Sequence, residues 1–420
     1  MRDGTVARFF IVSLNYAPEP TGFAPKATAY AEHLARRGHD VHVFTGFPFT
    51  PDWKRRDADR GRWARRERAG GATLHRLTHF IPRRPSSALQ RVLMEGSLAV
   101  SALVAIVLTM IRHGRPDAVL YIGAQPALAL LARVSARLAG CPYFVNITDL
   151  AAQAALDVGI AGPRLHALLE RVEFAAYQGA STAFVLTPSF QRALVQRGFP
   201  ARRIQLLRDP TDLDLIRPVS RDGTFRARYN ISNAAFVVMH AGSMGLKQGL
   251  LNVVAAAGLT RDTDICWVLV GAGEALPQLI DAVRREQIDA TVRFVPFQPD
   301  ADLSRMFAAA DVLLLNQVRA MKDTVIPSKL LTYMASGRPV LAAVNEHSQA
   351  AEILRDAGGG ILVAPDDPGA LARGAQTCRA ADPSALAAFG ARNRTYAEAH
   401  FDQRKIVTAH EARMLEDMGV

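Results

Sequence analysis

The stretch Asp323–Val344, DTVIPSKLLTYMASGRPVLAAV, decides the fold. It reads as loop, helix, sharp turn and buried strand. Pro327 and Ser328 suit the start of a helix, because proline fits the first helical position and serine caps free N–H groups. Gly337 suits a left-handed stop, and Pro339 keeps the helix from continuing. Val340–Val344 is then a short apolar run of the kind that fills a parallel sheet. The front of such a helix carries unpaired backbone N–H groups and attracts anions, phosphate above all.

The same rhythm extends in both directions. Strand candidates in the first half are Arg8–Leu14, Asp40–Thr45, Thr73–Thr78, Ala118–Ile122, Tyr143–Ile147, Ala183–Leu186 and Arg203–Leu207. A second series runs through Phe236–His240, Cys266–Val270, Val292–Val295, Val312–Leu315, Val340–Ala343 and Gly360–Val363. Helical stretches such as Ala27–Arg37 lie between them, which is the α/β pattern of parallel sheets. Two similar series predict two Rossmann-like domains, over 1–208 and 233–395. A polar, proline-containing linker is expected over 209–232. Residues 396–420 are expected to be helical and to return toward the first domain. A chain of 420 residues suits two cores better than one.

Composition narrows the function classes. The chain is 49% apolar and 21% charged, which is globular rather than disordered. Cys141, Cys266 and Cys378 are far apart and form no C-x-x-C, so a reducing cytosol without disulfides or a zinc site is expected. Ala7–Leu14 reads as the first strand rather than as a signal peptide. The formal net charge is +11, and twelve basic residues fall between Lys54 and Arg91 against Asp57, Asp59 and Glu67. Such a patch suits anionic lipid, or it is a solvated loop of an arginine-rich protein. No zinc-finger, RNP-like or helix-turn-helix pattern accompanies it, so nucleic acid is not expected as a partner.

Val92–Ile111, VLMEGSLAVSALVAIVLTMI, carries one charge, Glu95, over a length that can span a bilayer. A span would separate two strands of one sheet. The stretch therefore reads as a helix covering the sheet through a stripe of Glu95, Ala99, Ala102, Ala105 and Thr109. Leu93, Val100, Val104, Val107 and Ile111 fall on other faces. A basic loop beside an apolar helix suits monotopic attachment, and a plain core helix is the alternative.

Three further stretches bear on chemistry. The turn after strand one, within NYAPEPTGFAPKATAYAEHLARRG (Asn15–Gly38), lies where open α/β sheets bind ligands, although a rigid connector explains it too. It contains no G-x-G-x-x-G, which weighs against a nicotinamide cofactor. HAGSMGLKQGLLNVVAAAG (His240–Gly258) places Gly242, Ser243 and Gly245 after a strand and Lys247 near a helix start. Glycines let a backbone approach phosphate, and the lysine supplies charge. VLVGAGEALPQLI (Val268–Ile280) repeats a strand-to-glycine turn at Gly271, which a tight connection also explains.

Taken together these stretches resemble the family 4 glycosyltransferases of GT-B fold, above all a subgroup of exopolysaccharide and O-antigen pathways. The resemblance rests on Asn15–Glu19 with Thr21–Gly22, on Gly242, Gly245 and Lys247–Leu250, and on Pro327–Leu330 with Ala335–Val340. It implies two Rossmann-like domains facing across a cleft, with the acceptor in the first and a nucleotide sugar in the second. It implies transfer to a polyprenyl-diphosphate-linked saccharide at the inner face of the cell membrane, with the anomeric configuration retained and no metal or other cofactor. Gly22 would approach the donor diphosphate and Lys247 would pair with it. Gly242, Ser243, Gly245, Gly271, Pro327, Ser328, Lys329 and Leu330 would complete the donor site.

Two departures stand out. Family members carry two glutamates, eight positions apart, that hold the sugar and the ribose; here those positions are Thr324 and Thr332. At Asn146–Gln153, NITDLAAQ keeps Asp149 and loses the W-P-E that usually follows. Asp149 is the candidate catalytic contact to acceptor or sugar beside Lys247, or else a helix N-cap. The threonines leave open a second class, a non-catalytic GT-B subunit of a polysaccharide assembly complex.

Overall fold

The run RFFIV at Arg8–Val12 has no polar alternation, so it is stable only inside a sheet covered on both faces. In the computed structural model it is the centre of such a sheet. The structure describes residues 6–19, 23–50, 52–84, 87–148, 163–206, 208–320 and 326–420. The first sheet comprises β1 (Arg8–Val12), β2 (Asp40–Gly46), β3 (Ala64–Ala69), β4 (Ala72–Leu77), β5 (Ala118–Gly123), β6 (Tyr143–Ile147), β7 (Thr182–Val185) and β8 (Ile204–Leu206). Their order is β3-β4-β2-β1-β5-β6-β7-β8. Every neighbouring pair is parallel except β3 with β4. The order reverses between β1 and β5, which makes the crevice beyond their carboxyl ends the natural ligand position.

Two loops meet at that end through one carboxylate. Glu19 is buried, and its Oε1 accepts from the N–H groups of Phe49 and Thr50 at 3.0 and 2.9 Å and from Thr50 Oγ1 at 2.8 Å. Its Oε2 accepts from Asn15 Nδ2 at 2.9 Å. The NYAPE motif therefore ties the turn after β1 to the turn after β2. Glu19→Ala strands two buried N–H donors, each worth about 1–3 kcal/mol when unmade, and is expected to cost about 2 kcal/mol overall. An unchanged denaturant midpoint would contradict this.

β3, ARRERA, has no apolar alternation and is not apparent as a strand in the sequence. It forms because β4 offers a free edge, and charged side chains are how natural edges resist further pairing. This strand also divides the basic segment. Arg76 is buried against Glu67 at 2.8 Å, Arg65 pairs with Glu67 at 3.0 Å and with Asp59, and Arg55 Nη2 donates to Thr78 Oγ1 at 2.7 Å. Arg62, Arg66, Arg68, Arg83 and Arg84 are exposed.

The apolar segment is the helix Ala88–His113, joining β4 to β5. It is long and apolar enough to cross a membrane and 39% buried. Ala102, Ala105 and Thr109 face inward as expected, together with Met94, Leu98 and Ile106, while Leu93, Val100, Val104, Leu108 and Ile111 are exposed.

The second sheet comprises β9 (Phe236–Ala241), β10 (Ile265–Val270), β11 (Val292–Val295), β12 (Val312–Asn316), β13 (Val340–Ala343) and β14 (Gly360–Val363). It is parallel throughout, in the order β11-β10-β9-β12-β13-β14, so its switch point lies between β9 and β12. Helix Ser328–Ala335 precedes β13, and Gly337 turns with φ +69°.

The chain divides into residues 1–210 with 404–420, and residues 211–403. The segment 209–232, read from sequence as a linker, belongs mostly to the second unit. Ile216, Phe225 and Ile231 enter its core. Arg226 is fully buried, bonding Asp311 at 2.8 Å and the carbonyls of Ala235 and Ala309. Satisfying a buried guanidinium requires many fixed acceptors, which a free linker cannot supply. The last helix, Gln403–Met418, belongs almost wholly to the first unit, where Glu411 accepts from His33 at 2.9 Å and His39 at 3.0 Å. Burial opposes the charge of Glu411, but these bonds hold its carboxyl well below the usual range.

Candidate functional site

The site in the second unit grows from the last residues of β9. Gly242 has φ +127° and Gly271, at the end of β10, has φ +134°. Both lie where side chains are strained. A Cβ on Gly271 would stand 2.0 Å from the Gly242 carbonyl oxygen, and one on Gly242 would meet Lys329 Cε at 2.3 Å. The turns after β9 and β10 therefore pack backbone on backbone. Gly242 N–H donates to Val270 O and Met244 N–H to Ala272 O, both at 2.9 Å. Asn316, buried at the end of β12, fastens the far side by donating to Gln248 O at 2.7 Å and Gly249 O at 3.1 Å.

Helix Ser328–Ala335 is fixed to this turn by two side chains one helical turn apart, which share a face. Tyr333 Oη accepts from Ala241 N at 2.8 Å and donates to Ala241 O at 3.0 Å. Lys329 Nζ donates to Ser243 O at 2.9 Å and meets His240 Nε2 at 3.3 Å. Burial presses the Lys329 ammonium down to about 8, and burial with the neighbouring lysine charge presses His240 to about 3. The imidazole is therefore neutral, and its Nε2 accepts from the ammonium. Pro327 precedes the helix and Leu330 N–H bonds Pro327 O at 2.9 Å. The N–H groups of Ser328 and Lys329 have no acceptor among the described residues. They lie in the first turn, at the positive end of the helix dipole.

The residues expected from sequence are thus partly assembled. Gly242, Ser243, Lys329 and the helix start at Pro327–Leu330 come together, with Gly271 as the packing partner of Gly242. Gly245 N–H is taken by Gln248 Oε1 at 2.9 Å. Leu330 is buried and acts as packing. Lys247 stands in a 3-10 turn, Leu246–Gln248, and the helix expected near Gln248 begins at Leu251. Lys247 is exposed, and its side chain has no partner among the described residues. Thr332 is half-buried, and its Oγ1 donates to Ser328 O at 3.1 Å, one turn back along the exposed side of the helix. Gly22, Asp149 and Thr324 lie outside the described residues.

His240, Tyr333 and Glu274 were not apparent from the sequence. His240 and Tyr333 follow the hydrophobic rhythm of their elements and read as core. Glu274 is exposed beside Gly245, at the turn after Gly271. Among the described residues no group of three or more His, Cys, Asp or Glu is placed to hold a metal ion.

Close-packed glycines, an ammonium and a helix N-terminus meet at the carboxyl end of β9, a combination chemically suited to an anion. Comparison with known proteins agrees in kind. Residues 21–209 match the family described as glycosyl transferase 4-like domain, and residues 235–379 match glycosyl transferases group 1. The chain is 26% identical over 376 residues to Escherichia coli (strain K12) WcaI, named for colanic acid biosynthesis glycosyl transfer, covering 87% of this chain and 91% of that one. Its fold is similar to that of sucrose-phosphate synthase from Thermosynechococcus elongatus, with a TM-score of 0.73 at 18% identity over 98% of each chain. It is also similar to that of Anabaena HepE solved with UDP, with a TM-score of 0.71 at 17% identity over 98% of this chain and 100% of that one. With two Rossmann-like parallel-sheet units, each matched by a glycosyltransferase domain, the chain belongs to the family 4 type glycosyltransferases of GT-B fold.

Proposed function

We propose that the enzyme transfers a sugar from a nucleotide-sugar donor to a lipid-linked saccharide in exopolysaccharide, capsule or O-antigen synthesis, with retention and without a metal. The observation that carries the donor half is the Lys329 ammonium held on the glycine turn after β9. In the reaction the bond between the anomeric carbon and the β-phosphate oxygen breaks. A bond from that carbon to an acceptor hydroxyl oxygen forms, and the hydroxyl proton leaves to the departing phosphate or to solvent. Charge develops on the diphosphate. Lys329, held by Ser243 O, and the N–H groups of Ser328 and Lys329 are the preorganised groups that would meet it, with exposed Lys247 free to add a charge. Asp149 follows β6 and is assigned to the acceptor or sugar, and Gly22 to the diphosphate.

The acceptor half is supported by the naming of WcaI for colanic acid synthesis and by the helix Ala88–His113. Its exposed Val100, Val104 and Ile111, with exposed Arg66 at the His113 end, fit attachment to the inner leaflet, where apolar burial and charge act together. The test supplies UDP-, GDP- and dTDP-sugars with polyprenyl-diphosphate-linked saccharides in vesicles and measures sugar passing into the lipid phase. Binding of donor without turnover on any acceptor would favour the second reading, a non-catalytic subunit, which the threonines at positions 324 and 332 support.

Thr332 gives a further expectation. Thr332→Glu restores a carboxylate at the position the resemblance gives to the ribose contact and is expected to tighten nucleoside diphosphate binding about 30-fold, within the 1.5–3 kcal/mol of a hydrogen bond to a charged group. Thr332→Val should change affinity little. A folded Thr332→Glu protein that has lost nucleotide binding would show that the ribose lies elsewhere.

A further inference from the structure

At the end of helix Ala88–His113, a recess of about 180 Å³ is lined by Trp63, Arg65, Arg66, His75, Arg112 and His113, with Leu108 at its wall. Arg66 lies directly across the β3–β4 ladder from His75, and its Nη1 meets His113 Nε2 at 3.3 Å. Neither Arg66 nor Arg112 pairs with a carboxylate among the described residues, whereas Arg65 is committed to Asp59 and Glu67. The guanidinium groups of Arg66 and Arg112, one from a strand and one from a helix end, thus converge beside His113 without a carboxylate partner among the described residues, while burial keeps His75 a neutral imidazole. The rim is apolar: Trp63 is 50% exposed, Leu108 40% and Ile111 75%.

We propose that this recess binds the phosphate of an anionic phospholipid headgroup, so orienting the apolar helix face on the membrane. The inference rests on the membrane attachment proposed above and names its lipid contact. Its place separates it from the crevice beyond the carboxyl ends of β1 and β5. Glu95, near the start of the helix, reaches the Ala127 N–H just beyond the carboxyl end of β5. At the other end, the His113 carbonyl accepts from Arg8 at the amino start of β1. Eighteen residues of helix set these ends about 27 Å apart, far more than one diphosphate spans. A group bound at the crevice cannot itself fill the recess, and the recess phosphate is assigned to a separate molecule. With Trp63, Leu108 and Ile111 beside it, that molecule is a lipid of the same leaflet.

The test sediments the full chain with phosphatidylcholine vesicles, with and without phosphatidylglycerol. Three double variants are compared: Arg66→Gln/Arg112→Gln at the recess, Arg83→Gln/Arg84→Gln with the same charge change elsewhere, and Val100→Ser/Val104→Ser on the apolar face. The recess variant is expected to bind phosphatidylglycerol vesicles about tenfold more weakly than wild type, and neutral vesicles equally. The Arg83/Arg84 variant is expected to lose at most about threefold. If the recess variant binds like wild type, or loses no more than the Arg83/Arg84 variant, while the serine variant is released, the recess is wrong and attachment stands. If wild type binds no vesicles, attachment itself fails. If inorganic phosphate raises the wild-type melting temperature as much as the anionic vesicles do, the site takes free anions and the lipid assignment is overturned.

Discussion

Lys329→Ala is expected to weaken nucleoside diphosphate binding about 100-fold, close to the 1.5–3 kcal/mol of a hydrogen bond to a charged group, without lowering stability. The ammonium is held by Ser243 O and His240 Nε2 beside the glycine turn, and burial presses it from 10.5 to about 8. A buried cation costs free energy when no anion is present, so its removal relieves the empty protein. The pH dependence has opposite signs for folding and binding. Between about 8 and 10.5 the unfolded chain holds a proton that the native site has released, so this lysine's contribution to stability rises with pH across that window. Diphosphate affinity, which needs the ammonium, is full below about pH 8 and falls above it. Lys329→Ala should abolish both trends. An affinity that stays flat through pH 9 in wild type would remove the lysine from the donor site.

Gly271→Ala is expected to be the most damaging single change in the second unit. The methyl would overlap the Gly242 carbonyl oxygen, a backbone atom that no side-chain rotation relieves, and φ +134° is itself strained for alanine. We expect a loss of about 4 kcal/mol, at the upper end of point-mutation effects, and loss of nucleotide binding in any protein that folds. Gly258→Ala is the control: it lies in helix Leu251–Leu259, where its nearest neighbour is the mobile end of Arg261 at 3.6 Å. Equal denaturant midpoints for the two variants would contradict the packed-turn account.

The strands were legible because each is a short apolar run between turn residues, and Tyr143–Ile147, Val292–Val295, Val340–Ala343 and Gly360–Val363 fall at the expected positions. Helix Ser328–Ala335 was equally legible, since Pro327 and Gly337 mark its ends chemically. β3 was not, because its stability comes from the neighbouring edge of β4 rather than from its own pattern. The segment 209–232 looked like a linker for a related reason. Its polarity hides Arg226, whose acceptors at Asp311, Ala309 and Ala235 are distant in sequence. Within the site, the glycines could be read from their place after strands, since close backbone approach demands them, whereas Lys329 came from the family resemblance and Lys247 was expected as the chief cation. The pairing of Lys329 with His240, and of Tyr333 with Ala241, depends on strand order and helix rotation, which spacing alone does not carry. The bond of the Thr332 hydroxyl to Ser328 O is a rotamer choice and leaves no trace in sequence.

The central claim is that the turn after β9, with Lys329, holds the diphosphate of a nucleotide-sugar donor. Calorimetric titration of UDP-, GDP- and dTDP-sugars into wild type and Lys329→Ala, with EDTA present, tests it most directly. The account predicts that at least one of these donors binds wild type in EDTA and binds Lys329→Ala about 100-fold more weakly. Absence of binding by all three, or equal affinity in the two proteins, would contradict it.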